Sequence, residues 1–199
     1  MKALVRMLVV GLAVAAGSAQ AADKVESFAI DQAMGKPDAP ITIIEYASTT
    51  CGHCATFHKE TLPRIKKEWV DTGKARLIYR DFPTGPAGLS VGASMLPHCA
   101  GPERYFGVLG LIMQTQASWM SKNPLDDLKK AVRLAGMTGE QVDECLARQD
   151  LATAIQARAQ AGQEKYGVDS TPTIIVNGEK IVGAQPYDVI DKALKAASK

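Results

Sequence analysis

Four cysteines are where this chain of 199 residues could do redox chemistry, and they fall into two unlike sets. Cys51 and Cys54 are separated by Gly52 and His53, whereas Cys99 and Cys145 stand alone. A bridge between Cys51 and Cys54 closes so short a loop that it restricts the unfolded chain very little. Its use lies in being made and broken. A bridge between Cys99 and Cys145 closes a loop of about 46 residues, worth roughly 4 kcal/mol in the chain-entropy account. The spacing therefore predicts a redox-active pair at Cys51 and Cys54 and a structural bridge between Cys99 and Cys145. The competing reading of the second pair is two free thiols packed into helix interfaces. If bridged, their Cα atoms must lie about 4.4–6.8 Å apart. Zinc would need four ligands, and the sequence offers neither a second C-x-x-C nor an H-x-x-x-H. No metal and no cofactor are predicted.

The elements around the pair give each thiol a role. A β-branched run, Ile41–Ala47, ends just before Cys51, and a helical pattern follows from Cys51 to Val70, with Pro63 expected to kink it. A thiol at the first turn of a helix feels its positive end, which favours thiolate. Cys51 is thus the predicted nucleophile, and Cys54, one turn deeper, the resolving thiol. A stabilised thiolate makes the reduced state comfortable and the disulfide a good oxidant. His53 could support that thiolate by charge or hydrogen bond, or could be a solvated surface side chain. His58, one turn beyond Cys54, and His98, beside Cys99, read as ordinary surface or interface residues and are assigned no role.

Further along, Ala75–Asp81 reads as a second strand, closed by Pro83, Gly85 and Pro86. About five helices are expected over 87–166. Thr173–Val176 and Glu179–Val182 flank Asn177-Gly178, a two-residue hairpin signal, and Tyr187–Ala197 makes a closing helix. Thr171-Pro172 stands at the mouth of that hairpin, where a proline can simply mark a strand edge. Glu45 interrupts an apolar strand six residues before Cys51, either as a solvent-facing charge or as something with a task.

Composition, with 46% apolar and 22% charged residues, excludes a disordered or collagen-like chain. The 23 basic and 21 acidic residues become equal once Lys2 and Arg6 are set aside, so no nucleic-acid or anionic-membrane partner is indicated. Those two cations precede an apolar Met7–Ala16 stretch and the small-x-small signal Ala19-Gln20-Ala21. Residues 1–21 therefore read as a signal peptide cleaved after Ala21. Export in turn favours disulfides over free thiols.

Cys51-Gly52-His53-Cys54 at a strand–helix junction, with Ser170-Thr171-Pro172-Thr173 before a hairpin, resembles the thioredoxin fold. The run Gly35–Tyr46 and the helical insertion narrow the resemblance to the DsbA family of periplasmic thiol:disulfide oxidoreductases, from about Phe28 to the end. The resemblance implies an α/β fold, thioredoxin-like, with an inserted all-helical domain. Residues 22–86 and 167–199 would form the thioredoxin-like part and 87–166 the insertion. It implies a cis Thr171–Pro172 bond against the Cys pair, leaving Thr171 to pair with extended substrates without regard to sequence. It also implies that Glu45 is buried and carries the resolving thiol's proton. The partners implied are unfolded secreted or periplasmic polypeptides and a membrane quinone-linked, DsbB-like reoxidant, with the protein itself a monomer in the periplasm. One departure is Gly-His between the cysteines, where DsbA has Pro-His. It leaves an isomerase or reductase as the alternative, with a non-catalytic chaperone or copper-thiolate carrier further behind.

Overall fold

A strand buried on both faces fixes the centre of the molecule: every residue of Ile41–Ala47 (β2) is buried. In the computed structural model, which describes residues 29–199, β2 pairs in parallel with Ala75–Asp81 (β3) and antiparallel with Thr173–Val176 (β4). Glu179–Val182 (β5) extends β4, and Gln32–Met34 (β1) extends β3, both antiparallel, giving the order β1-β3-β2-β4-β5. The predicted leader and its cleavage point lie outside the described residues. The β4–β5 turn needs positive φ at both central residues, and Asn177 (φ 44) and Gly178 (φ 97) supply it.

The helix after β2 is not one kinked rod. Gly52–Glu60 (α1) ends before Pro63, which sits in the first turn of Leu62–Ile65 (α2), and a π-helical turn, Lys66–Val70, follows. Proline lacks the N–H that a continuous helix needs but costs nothing in a first turn, so the break falls there. With Tyr187–Ala197 (α9), these segments cover one sheet face. Phe57, Ile65, Ile190 and Leu194 pack there against Ile41, Ile43 and Leu77.

Between β3 and β4 run six helices rather than five: Ala87–Cys99 (α3), Tyr105–Gln114 (α4), Gln116–Trp119 (α5), Pro124–Arg133 (α6), Gly139–Leu146 (α7) and Gln149–Tyr166 (α8). The extra one, α5, is a single turn that delivers Trp119 into a second apolar core with Val108, Ile112, Leu128, Val132, Val142 and Ile155. Cys99 at the end of α3 is disulfide-bonded to Cys145 of α7, with Cα atoms 6.0 Å apart. A smaller apolar group of Ala47, Cys54, Tyr79, Tyr105, Leu109 and Met113 joins the two cores.

Buried charge also ties the insertion to the sheet. Arg158 of α8 pairs with Asp81 of β3 and reaches Asp31, which in turn holds Arg80 at 2.7 Å. His98 lies 3.0 Å from the same Asp81, and Arg80 donates to the Tyr46 hydroxyl at 2.9 Å. His98 is therefore no surface residue. It closes a charge cluster of Asp31, Arg80, Asp81 and Arg158, and burial of so many charges is tolerable only because each has an opposite partner.

Candidate active site

Cys51 caps the N-terminus of α1 in extended conformation, so its side chain faces the helix's unpaired amides. Its Sγ accepts from the Cys54 backbone N–H at 3.3 Å and lies 3.4 Å from the Thr171 carbonyl. The pair is present as two free thiols, Cys51 partly exposed and Cys54 buried. The thiol of Cys54, then Thr171 and the amides of Cys54 and His53, outweigh desolvation and lower the Cys51 pKa from 9.0 to about 5. Burial, before any other cause, pushes Cys54 far above the thiol range, and the neighbouring Cys51 and Glu45 push the same way. Two thiols one helical turn apart are thus driven in opposite directions, Cys51 by the hydrogen bonds it receives, that of the Cys54 thiol first and the helix amides after it, and Cys54 by burial in the core.

His53 is exposed, and its backbone amide, rather than a side-chain hydrogen bond, is what bears on Cys51. Thr171–Pro172 is cis, Pro172 is buried, and Gly183 N–H donates to the Pro172 carbonyl. That bond lies within the hairpin segment, and the Thr171 carbonyl at the Cys51 sulfur is what brings this segment to the α1 terminus.

Glu45 is fully buried, which removes the solvent-facing alternative. The two-residue period of β2 puts it on the face of Ile43 and Ala47, beneath α1. There His58 Nε2 contacts both carboxylate oxygens, at 2.9 and 3.1 Å. His58 was assigned no role from sequence, and the structure corrects that: its side chain is only 6% exposed and partners a buried acid. The signal available was the four-residue step from Cys54, which places both on one helix face.

Two further contributors lie outside the motif. Gln116 of α5 donates from one Nε2 to the carbonyls of Thr49 (2.8 Å) and Cys51 (3.0 Å), so the insertion grips the active-site loop directly. Beneath that loop Ser48, Thr50, Thr84 and Ser90 share hydroxyl hydrogen bonds of 2.9–3.3 Å, joining it to the start of α3. Among the described residues no group of three or more His, Cys, Asp or Glu is arranged to hold a metal, and no helix is long and apolar enough to cross a membrane.

Comparisons with known proteins agree with this geometry. The sequence profile of the family described as Thioredoxin matches residues 27–196. A Rickettsia bellii protein whose name assigns it to the protein-disulfide oxidoreductases is 29% identical over 173 residues, covering 83% of this chain and 65% of its own length. The chain thus spans a little under two thirds of that relative. Disulfide bond formation protein D of Bacillus subtilis is 25% identical over 81% of this chain and 74% of its own. The crystal structure of Wolbachia pipientis alpha-DsbA1 superposes with a TM-score of 0.77 at 28% identity, covering 88% of this chain and 96% of that one. The chain belongs to the thioredoxin family, among its DsbA-like members in which a helical domain interrupts the sheet.

Proposed function

We propose that this protein is a thiol:disulfide oxidoreductase that donates its Cys51–Cys54 disulfide to newly exported polypeptides in the periplasm. The observation that carries this reading is the opposed thiol pair: a Cys51 thiolate favoured down to about pH 5 beside a buried, proton-holding Cys54. A stable reduced state is a strong drive to accept electrons. A substrate thiolate attacks Cys51 Sγ, the Cys51–Cys54 bond breaks onto Cys54, and a second substrate thiolate then displaces Cys51. Thr171, whose carbonyl lies at the Cys51 sulfur, supplies a backbone edge for an extended substrate, which discriminates little between sequences. The predicted leader in residues 1–21 supports export, and a membrane quinone-linked partner would restore the disulfide. The names of the Rickettsia and Bacillus relatives favour the same chemistry.

The deciding measurement is the Cys51–Cys54 reduction potential, equilibrated against glutathione, paired with turnover on a reduced unfolded protein. An oxidant should sit near the DsbA end of the range, about −120 mV. A value near that of thioredoxin, about −270 mV, would make it a reductase instead.

A further inference from the structure

Cys51 has its special environment only while its sulfur stays at the end of α1, and a short loop holds it there. Ser48 to Cys51 joins the last residue of β2 to the first of α1. Cys51 is extended in that loop, with φ −84° and ψ 117°, which turns its side chain back to the Cys54 N–H at 3.3 Å. A change in those angles would carry the sulfur off the helix amides.

Two helices of the insertion hold the loop. From α3, Ser90 Oγ bonds Ser48 Oγ at 2.9 Å, and the Ser90 carbonyl accepts from Thr49 Oγ1 at 3.2 Å. Ser48 Oγ in turn accepts from the Thr50 N–H at 3.3 Å. From α5, the buried Gln116 amide donates to the carbonyls of Thr49 (2.8 Å) and Cys51 (3.0 Å). Those two carbonyls belong to the peptide planes on either side of Thr50 and Cys51, so one amide pins both ends of the stretch that aims the sulfur. Gln116 is itself anchored. Trp119, which ends the same turn, is fully buried and donates from Nε1 to the Ile112 carbonyl at 2.8 Å, and Thr115 Oγ1 donates to the Leu111 carbonyl at 2.7 Å. Any two carbonyls would satisfy a buried amide; this one takes the pair that brackets the nucleophile.

We propose that Gln116 is a positioning residue of the disulfide exchange: its amide keeps the Cys51 sulfur at the Cys54 N–H, and through it the helical insertion sets how strongly the Cys51–Cys54 disulfide draws electrons. The inference deepens the proposed function and rests on Cys51 as the attacked sulfur. In the disulfide the bond to Cys54 holds that sulfur in place. In the reduced form the backbone alone does so, and the grip of Gln116 therefore favours the reduced form. Donors fixed before the charge appears need not reorganise when it does.

Gln116→Met keeps the length and bulk of the side chain and removes both donors. In the full chain, reduced, alkylation of Cys51 by iodoacetamide is followed against pH by mass spectrometry, beside the glutathione equilibrium and urea unfolding of both redox forms. Losing about one hydrogen bond's worth of placement should raise the Cys51 midpoint by about one pH unit. Alkylation at pH 5, about the wild-type midpoint, should then slow roughly fivefold, while the rate at pH 9.0 does not fall. The glutathione equilibrium should move roughly tenfold toward the disulfide, and the reduced form should lose more stability than the oxidised one. In the wild-type chain the Gln116 side-chain amide protons should exchange slowly in NMR spectra and their shifts should follow the Cys51 titration, a readout that stands should the variant fold poorly. An unmoved midpoint in Gln116→Met, equal stability losses in the two redox forms, or freely exchanging Gln116 amide protons would overturn the proposal. A thioredoxin-like potential in the wild-type chain would instead overturn the oxidant reading, and the difference between Gln116→Met and wild type decides the positioning role at either potential.

Discussion

The Cys51 sulfur couples acid–base chemistry to folding. Its pKa is lower in the folded reduced protein, about 5, than the 9.0 of an ordinary thiol. A group with a depressed folded pKa stabilises the fold fully above its unfolded pKa, and that contribution is lost as pH falls through the folded one. The oxidised protein has no such titration. The melting temperature of the reduced form should therefore gain on that of the oxidised form as pH rises from 5 to 9, with thiolate absorbance turning over near pH 5. A gap that stays flat across this range would mean that the thiolate is not held by the fold. Cys54→Ser should leave Cys51 able to attack a substrate disulfide but remove the resolving thiol, so mixed disulfides with unfolded proteins that carry disulfides should accumulate on non-reducing gels; release at the wild-type rate would reverse the roles of the two cysteines. The Cys pair was legible because it is a local pattern at a strand–helix junction. His58 and Gln116 were not, since their partners Glu45 and Cys51 lie across a packing interface whose rotation no local spacing reveals.

Strands β2, β3 and β4 with their apolar runs, β5 through the Asn177-Gly178 turn before it, and α9 were readable in their full extent. Gln32–Met34 was not: three residues with no alternation become β1 only because β3 offers an unpaired edge. Single-turn α5 escaped for the same reason, having too few residues to show a period. Contact between α8 and the sheet carries its own test. A Cβ on Gly162 would lie 2.3 Å from Cε1 of the buried Tyr46 ring, so close approach of helix and strand requires glycine there. Gly162→Ala should lower stability by about 1–3 kcal/mol through overpacking, measured by urea unfolding. Gly107→Ala in α4, where a Cβ meets nothing within 4 Å, should instead raise it by about 0.5–1 kcal/mol, through helix propensity alone. Equal effects at the two glycines would remove the packing argument.

At the level of the whole molecule, two apolar cores are joined by a small shared cluster, a set of buried ion pairs and the loop closed by Cys99–Cys145. The bridge lies within the insertion, and Cys145 packs there among Val142, Leu151 and Ile155. Replacing both of its cysteines by Ser should cost about 2–4 kcal/mol and leave Cys51 alkylation at its wild-type rate. Lost turnover at unchanged stability would move the bridge into the catalytic cycle. The charge cluster around Asp81 was invisible in the sequence, because its members come from residues 31, 80, 81, 98 and 158 and meet only in three dimensions.

The two outermost strands have a consequence for life among unfolded chains. An unpaired strand edge is a template on which other polypeptides can add, and an enzyme that handles nascent proteins meets such chains at every encounter. Here one border of the sheet is three residues long, and the other opens with the exposed charges of Glu179 and Lys180. Brevity on one side and charge on the other deny an adding segment any long run of ladder at the sheet borders. Under the proposed function, a client would be held at one backbone position, Thr171, without the sheet becoming the seed of its aggregate.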